Sequence, residues 1–369
     1  SVERVTDESV ERPGSGTPDL LRAARQEPGD RVPVWFMRQA GRSLPEYFPV
    51  RGDGTILDAI KDPDRATEIT LQPVRRYGVD AAILFSDIVT PVWAAGFGID
   101  ITPGVGPTCE HPFASAADLD RLRPLDPGTD LAFQNETVRN LVAELPVPLI
   151  GFAGAPFTLA AYLVEGRPSK NHDKVKTLMA AQPDLWHRLC DRLADLAITT
   201  LRAQVDAGAR AIQLFDSWAG TLHPEHYRRW VAPHSVKIMD AMADTGVPRF
   251  HFGVNTGELL DQMADVGADV VGVDWRTSLS VARERTGGRV ALQGNLDPAL
   301  CQGPWEVVEA EVRRILADNA GHPGHIFNLG HGVLPTTDPE ILGRVVELVH
   351  AEGAAHGAAP DGGVEAPAS

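Results

Sequence analysis

Val32-Pro33-Val34-Trp35-Phe36-Met37-Arg38-Gln39-Ala40-Gly41-Arg42 begins as an apolar run and ends with two guanidiniums four residues apart. The run reads as a buried strand, so the arginines fall at its C-terminal end. Arginine is permanently charged and offers a planar fork of donors that matches a carboxylate or a phosphate. An acidic soluble chain has no packing reason to set permanent cations at the mouth of its core. Arg51 follows shortly after. The stretch therefore predicts a site for a ligand with several anionic groups.

The same grammar recurs along the chain. Further short apolar, often β-branched runs lie at Ala81–Phe85, Val147–Ala153, Ala211–Phe215, Arg249–Val254, Asp269–Val273, Val290–Gln293 and His325–Leu329. Between them the periodicity is helical. Leu185, Leu189, Leu193, Leu196 and Leu201 share one face of a helix predicted over Asp184–Gln204, with Gly208 as its stop. A second helix is predicted over Pro304–Leu316. A third starts at Thr337-Asp338-Pro339-Glu340, which supplies a cap, an early proline and a first-turn acid. Strand–helix alternation implies a parallel sheet with right-handed crossovers. Eight repeats predict an α/β fold, a single (β/α)8 TIM-type barrel. A doubly wound open sheet is the alternative, and it lacks a Gly-rich fingerprint after the first strand. Two insertions are expected, a hairpin over Gly98–Pro107 and a helical excursion over Glu165–Asp184. The domain plan is a disordered extension at 1–18, a catalytic barrel at 19–352 and a disordered tail at 353–369.

Composition narrows the function. The 369 residues carry 34 Lys+Arg against 50 Asp+Glu, a formal net charge of −16. That balance argues against a general nucleic-acid or anionic-membrane binder. It also makes a local arginine cluster more telling, because the cluster opposes the global sign. Cys109, Cys190 and Cys301 are widely spaced and make no CxxC pair, which fits a reducing cytoplasm. No run is long enough to span a bilayer, and residues 1 to about 18 lack an apolar signal core.

Barrel active sites lie at the C-terminal ends of the strands. Polar residues expected there are Arg38, Ser86-Asp87, Asp216-Ser217, Asn255, Asp274, Asn295, Asp297, Asn328 and His331. Asp87, flanked by apolar residues, must be paired or hydrogen-bonded if buried. It reads equally as a functional acid, an arginine partner or a helix cap. His331 sits between Gly330 and Gly332, which let the backbone approach a ligand. Ser217 has no GxSxG elbow around it and reads as a hydrogen-bonding group rather than a nucleophile. Tyr162 alone reads as core packing with its hydroxyl at an edge. His223 and His226, and His322 and His325, have no cysteine partners and no HExxH pattern, so no metal site is expected. Nucleotide-binding motifs are absent.

Together these segments resemble the uroporphyrinogen decarboxylase family. The resemblance is carried by Met37-Arg38-Gln39-Ala40-Gly41-Arg42 with Leu44-Pro45-Glu46-Tyr47, and by Leu84-Phe85-Ser86-Asp87-Ile88. Gly154-Ala155-Pro156-Phe157-Thr158 through Tyr162, Val164-Glu165-Gly166 and Phe215-Asp216-Ser217-Trp218-Ala219-Gly220 add to it. So do Leu292-Gln293-Gly294-Asn295-Leu296-Asp297-Pro298 and Asn328-Leu329-Gly330-His331-Gly332. The resemblance implies a cytoplasmic, homodimeric (β/α)8 carboxy-lyase of haem biosynthesis that uses no cofactor and no metal. Its substrate would be uroporphyrinogen III, whose four acetate side chains become methyls, giving coproporphyrinogen III and four CO2. Asp87, Arg38 and Arg42 would be catalytic. Arg38, Gln39, Ala40, Gly41, Arg42, Arg51, Asp87, Tyr162, Ser217 and His331 would bind substrate. The segment Phe48–Gly54 around Arg51 departs from the family's usual basic pattern. Asp216 and Trp218 stand where other residues are common, with Ser217 kept between them. The substrate's carboxylates call for several fixed cations, and its inward pyrrole N–H groups call for one central acceptor, a role that suits Asp87.

Three rival readings share the barrel. A zinc- or corrinoid-dependent methyltransferase would need His and Cys ligands, and the three cysteines show no such pattern. A non-catalytic tetrapyrrole carrier would use the same arginines and differs only in releasing no CO2. A generic phosphate-binding barrel would show a Gly-rich loop late in the chain.

Overall fold

The computed structural model describes residues 16–353. Its strands are β1 (Ala82–Ile83), β2 (Ile99–Thr102), β3 (Gly106–Cys109), β4 (Leu149–Gly154), β5 (Ala211–Phe215), β6 (Arg249–Phe252), β7 (Val270–Gly272), β8 (Ala291–Gln293) and β9 (His325–Ile326). Seven of them form one parallel sheet in the order β1-β4-β5-β6-β7-β8-β9. β2 and β3 pair antiparallel in the expected inserted hairpin. Each strand of the main sheet coincides with one of the apolar runs.

The remaining run, Val32–Phe36, closes the ring by a different device. It is a single parallel bridge, Val34 to Phe327, and not a strand. Pro33 has no N–H to donate, and most of the other donors go to side chains. Val34 N–H donates to Asp80 Oδ2 (2.8 Å), Phe36 N–H to Gln39 Oε1 (3.0 Å) and Met37 N–H to Asn328 Oδ1 (3.0 Å). Trp35 N–H alone reaches a strand-like partner, Phe327 O (3.2 Å). On the other flank Asp80 N–H donates to Val34 O (2.8 Å). The segment thus bridges β9 and the approach to β1, and eight positions surround the core.

The interior is apolar, with Trp35, Phe36, Phe250, Phe252 and Phe327 fully buried. One polar chain crosses it: Trp35 Nε1–H donates to Gln293 Oε1 (3.0 Å), and Gln293 Nε2–H to Gln213 Oε1 (3.0 Å). Outside the sheet the long helix spans Pro183–Asp206 and buries the five predicted leucines. Gly208 follows it at φ +121°, where a Cβ would meet Val142 at 2.9 Å. The other predicted helices are Trp305–Asn319 and Pro339–Gly353, and the excursion after β4 contains Asp173–Ala181. Asp338 accepts from Glu340 N–H (3.0 Å), as its predicted capping role requires.

The extensions expected at 1–18 and 353–369 lie outside the described residues, apart from 16–18 and Gly353. Pro18 O accepts from Leu21 and Arg22 and opens the helix Asp19–Ala24. Gly353 ends the last helix against Val32, one residue past the expected boundary.

Candidate active site

The Arg38 turn is held at several points. Arg38 adopts the left-handed region (φ 58°), so its side chain leaves the strand direction at once. Asn328 Oδ1 accepts both Met37 N–H and Leu329 N–H (3.0 and 2.8 Å), and Met37 O accepts Val333 N–H (2.9 Å). The turn is therefore fastened to the loop that carries His331. Gly332 is needed for that fit, because a Cβ there would lie 2.5 Å from Arg38 Cδ.

The arginine segment serves two tasks. Gln39 is fully buried, and its amide caps Phe36 N–H and donates to Ala81 O (3.0 Å). Its side chain shapes the turn and does not face the cleft. Ala40 packs on the core, and Gly41 accepts Leu44 N–H (3.0 Å). Arg38 and Arg42 are exposed and Arg51 is half-buried. Among the described residues none of the three pairs with a carboxylate. Tyr47, buried between them and β1, makes edge contacts with Phe48 and Phe85 (5.5 and 6.1 Å). Burial lifts its hydroxyl pKa, while Arg51 and Arg42 pull it back, which locates both cations beside it.

Asp87 follows β1. Its Oδ1 accepts Val89 N–H (3.0 Å), and its backbone carbonyl accepts Thr90 N–H (3.1 Å), so it caps the start of the next helix. Its Oδ2 has no donor among the described residues, and the side chain is half-buried. Desolvation raises its pKa above the usual carboxylate range, against the pull of the Val89 N–H and the Arg38 cation.

Three other predicted residues lie at the same end of the barrel, and the Asp87 charge acts on one of them, Tyr162. Tyr162 sits in the helix Pro156–Glu165, edge-on to Trp218 (6.1 Å). Its hydroxyl pKa is raised, mainly by burial and further by Asp87, with the Trp218 side chain and Arg38 opposing. Ser217 is half-buried at the end of β5. The turn around it is fixed by fully buried Asp216, whose Oδ1 accepts from Thr158 Oγ1 (2.9 Å), which in turn accepts Trp218 N–H (3.2 Å). His331 Nδ1 accepts Gly332 N–H (2.6 Å), so the proton of its neutral ring is on Nε2. Burial, then the Arg38 and Arg276 cations against the opposing Asp274 carboxylate, push its pKa down to about 4. At neutral pH it is an uncharged donor.

Several strand-end polar residues fasten loops. Asn295 donates to Asp274 O and Thr277 O (2.9 and 2.6 Å), and Asp297 accepts Ala299 N–H (2.9 Å). His325 Nε2 meets Gly294 O at 2.9 Å, and His223 Nδ1 caps Glu225 N–H (3.2 Å). Among the described residues no three His, Cys, Asp or Glu side chains group as a metal site, and all three cysteines are buried and free. Sequence reasoning gave Tyr47 and Arg276 no role, and placed Asp216 only among the strand-end polar residues. Tyr47 had a signal in Leu44-Pro45-Glu46-Tyr47, directly after the arginines. Arg276 had one in Asp274-Trp275-Arg276, a strand-end acid, ring and guanidinium in succession.

Comparisons with known proteins bear on family and fold. The family described as uroporphyrinogen decarboxylase (URO-D) matches residues 16–352. The chain is 60% identical over 341 residues to a protein of that name from Salinispora tropica, covering 92% of each. It is 55% identical over 349 residues to another from Streptomyces avermitilis, covering 93% of this chain and 98% of the relative. Among solved structures, a methyltransferase from Methanosarcina mazei has the same fold at TM-score 0.74 and 22% identity, covering 90% of this chain and 97% of that one. A B12-independent methionine synthase from Shewanella is similar at TM-score 0.55 and 14% identity, covering 82% and 91%. At those identities the two structures speak for the fold alone. With the family matched from residue 16 to residue 352, and relatives above half identity over nine-tenths of the chain, the chain belongs to the uroporphyrinogen decarboxylase family.

Proposed function

We propose that this chain decarboxylates the four acetate side chains of uroporphyrinogen III to methyls, giving coproporphyrinogen III and four CO2. One observation carries the reading. A recessed carboxylate, Asp87, whose Oδ2 has no donor among the described residues, shares one barrel end with arginines that no carboxylate among the described residues neutralises. That is the charge pattern complementary to a macrocycle with acid groups outside and N–H donors inside.

The chemistry follows from the groups present. Release of CO2 leaves an electron pair that needs a sink. Protonation of the pyrrole α-carbon next to the one bearing the acetate makes an iminium-like cation conjugated with the acetate-bearing carbon. The C–COO bond then breaks into it, leaving an exocyclic methylene. A second proton converts that methylene to methyl as the ring proton departs, so each CO2 released consumes one proton. The ring itself is the sink, and no cofactor or metal is needed in this reading. Asp87, ionised by the pyrrole N–H groups it accepts, stabilises the cation where it develops. Arg38 or Arg42 grips the reacting acetate and Arg51 a peripheral one. Tyr162, Ser217 and the Nε2–H of His331 hydrogen-bond the substrate. His331 stays neutral at working pH, so as a proton source it would act through Nε2–H or an adjacent water. The backbone at Gln39, Ala40 and Gly41 lines the approach. We extend the reading to one catalytic barrel at 19–352 and to a homodimer, which rests on the family resemblance. A cytoplasmic setting is supported by three free buried cysteines. No helix among the described residues is long and apolar enough to cross a membrane.

The test is anaerobic incubation of the purified protein with uroporphyrinogen III and EDTA, without added cofactor. Products are oxidised and separated by carboxylate number. A descending series from eight to four carboxylates is expected. Binding without product would favour a carrier, and loss of turnover in EDTA would favour a metal enzyme.

A further inference from the structure

The chain leaves β7 through Val273-Asp274-Trp275-Arg276, at the same end of the barrel as Arg38, Asp87 and His331. Arg276 is held from three directions. Its own N–H donates to Asp274 Oδ1 (2.9 Å), its Nη1 donates to Asp274 Oδ2 (2.7 Å), and its guanidinium lies 4.1 Å from the Trp275 ring centroid. Asp274 is buried and also accepts Asn255 N–H, so the clamp is anchored in the neighbouring loop. The Nε and Nη2 donors of Arg276 have no protein partner among the described residues, and 46% of the side chain is exposed. Arg276 lines a cavity of about 510 Å³ together with Asn255, Thr277, Ser278 and the Glu258–Arg285 ion pair, in which Arg285 already holds the Glu258 carboxylate (2.9 Å).

This groove adjoins the site already described. The Gly330–His331 loop packs on the same segment, since a Cβ on Gly330 would fall 2.5 Å from Trp275 N. The Arg276 charge reaches the His331 ring, where it helps keep the imidazole neutral. A fixed guanidinium with idle donors beside a neutral N–H donor is a carboxylate receptor. Charge balance requires more such receptors than the sequence motif supplies. The substrate carries eight carboxylates, and Arg38, Arg42 and Arg51 provide three cations.

We propose that Arg276 is a further substrate-binding residue, which receives a peripheral carboxylate of the tetrapyrrole on the His331 side of the cleft. The inference rests on the reading given under the proposed function. Arg276 is tied to Asp274 and holds a carboxylate that does not react, so its contribution is to affinity and not to bond cleavage.

The experiment compares wild type, Arg276→Gln, Arg276→Lys and Arg289→Gln as octacarboxylate decarboxylases, with KM and kcat measured across a salt series. Arg289 pairs with Asp265 at the opposite end of the barrel and controls for the loss of one positive charge. Arg276→Gln is expected to raise KM about tenfold, the loss of one charge-assisted hydrogen bond, with kcat within about twofold. Its KM should also depend less steeply on salt. Arg276→Lys should recover KM to within about threefold and restore the salt slope, and Arg289→Gln should match wild type. An unchanged KM in Arg276→Gln overturns the proposal. So does a raised KM with the wild-type salt slope, which would mean that Arg276 only props up Asp274. If the wild type itself turns nothing over, the functional reading fails, and that outcome is distinct from failure of the Arg276 assignment.

Discussion

At the lower end of the barrel Asp80 accepts the Val34 N–H, Arg31 at 2.6 Å and His350 at 2.7 Å, while at the upper end Arg38, Arg42 and Arg51 have no carboxylate partner among the described residues. Arg31 and Arg38 lie seven residues apart in one segment. Below, charge is consumed internally and ties the first segment, β1 and the last helix together. Above, charge is left open and preorganised for something the chain does not contain. In the proposed function, the paired charges below serve the fold and the unpaired charges above receive the substrate.

The sharpest way to break this division is Asp87→Asn. Removing the charge while keeping the shape should lower kcat by ~10²–10³-fold, the range for a preorganised electrostatic group. Burial raises the Asp87 pKa in the folded state, so its protonated form favours folding. The stability it contributes is complete below the unfolded carboxylate pKa and is lost as pH rises through the higher folded value. At neutral pH the asparagine variant should therefore melt above wild type while being nearly inactive. A variant that is both inactive and less stable would assign Asp87 to the fold. Next in size, Arg38→Gln or Arg42→Gln should each cost about 10–100-fold in kcat/KM, one charge-assisted contact apiece, with little change in melting temperature.

Asp80→Asn should show the reverse pattern. It leaves His350 and Arg31 short of a partner and is expected to lose about 2–3 kcal/mol by denaturant unfolding, with kcat/KM of the folded protein unchanged. Loss of activity in the folded fraction would show the two ends to be coupled. The smallest effect belongs to Tyr162→Phe, about threefold to tenfold in kcat/KM for one neutral hydrogen bond. A loss equal to that of Asp87→Asn would count against an electrostatic mechanism. Profiles of kcat/KM against pH refine the same contrast. Activity should fall as acid protonates Asp87, above the ordinary carboxylate range, while His331, with a pKa near 4, adds no inflection between pH 6 and 8.

The sequence reading reached the strands because an apolar run between amphipathic helices can satisfy its backbone in few ways. The five leucines of Pro183–Asp206 made that helix legible for the same reason. Val32–Phe36 was read as a strand and is a bridge, because its donors are met by Asp80, Gln39 and Asn328. No local pattern announces a side-chain acceptor 291 residues away. The resemblance placed Gln39 among the substrate contacts, and its amide turns inward to Ala81 O, which leaves its backbone for the approach. Arg276 went unread because an arginine two residues from an aspartate looks like an ordinary surface pair. Only the fold sets that pair beside His331. The residues that bear charge were legible in type, and their partners were not, because partnership is decided at long range.

Asn328 has a consequence for the order of synthesis. Its single carbonyl oxygen receives donors from both ends of the chain, Met37 and Leu329. At ordinary elongation rates the ribosome needs roughly a quarter of a minute to a minute to make the intervening residues. Throughout that interval the arginine turn has emerged and lacks the acceptor that fixes it. A nascent chain stopped short of residue 328 would carry the Arg38 turn without the acceptor that fastens it to the His331 loop.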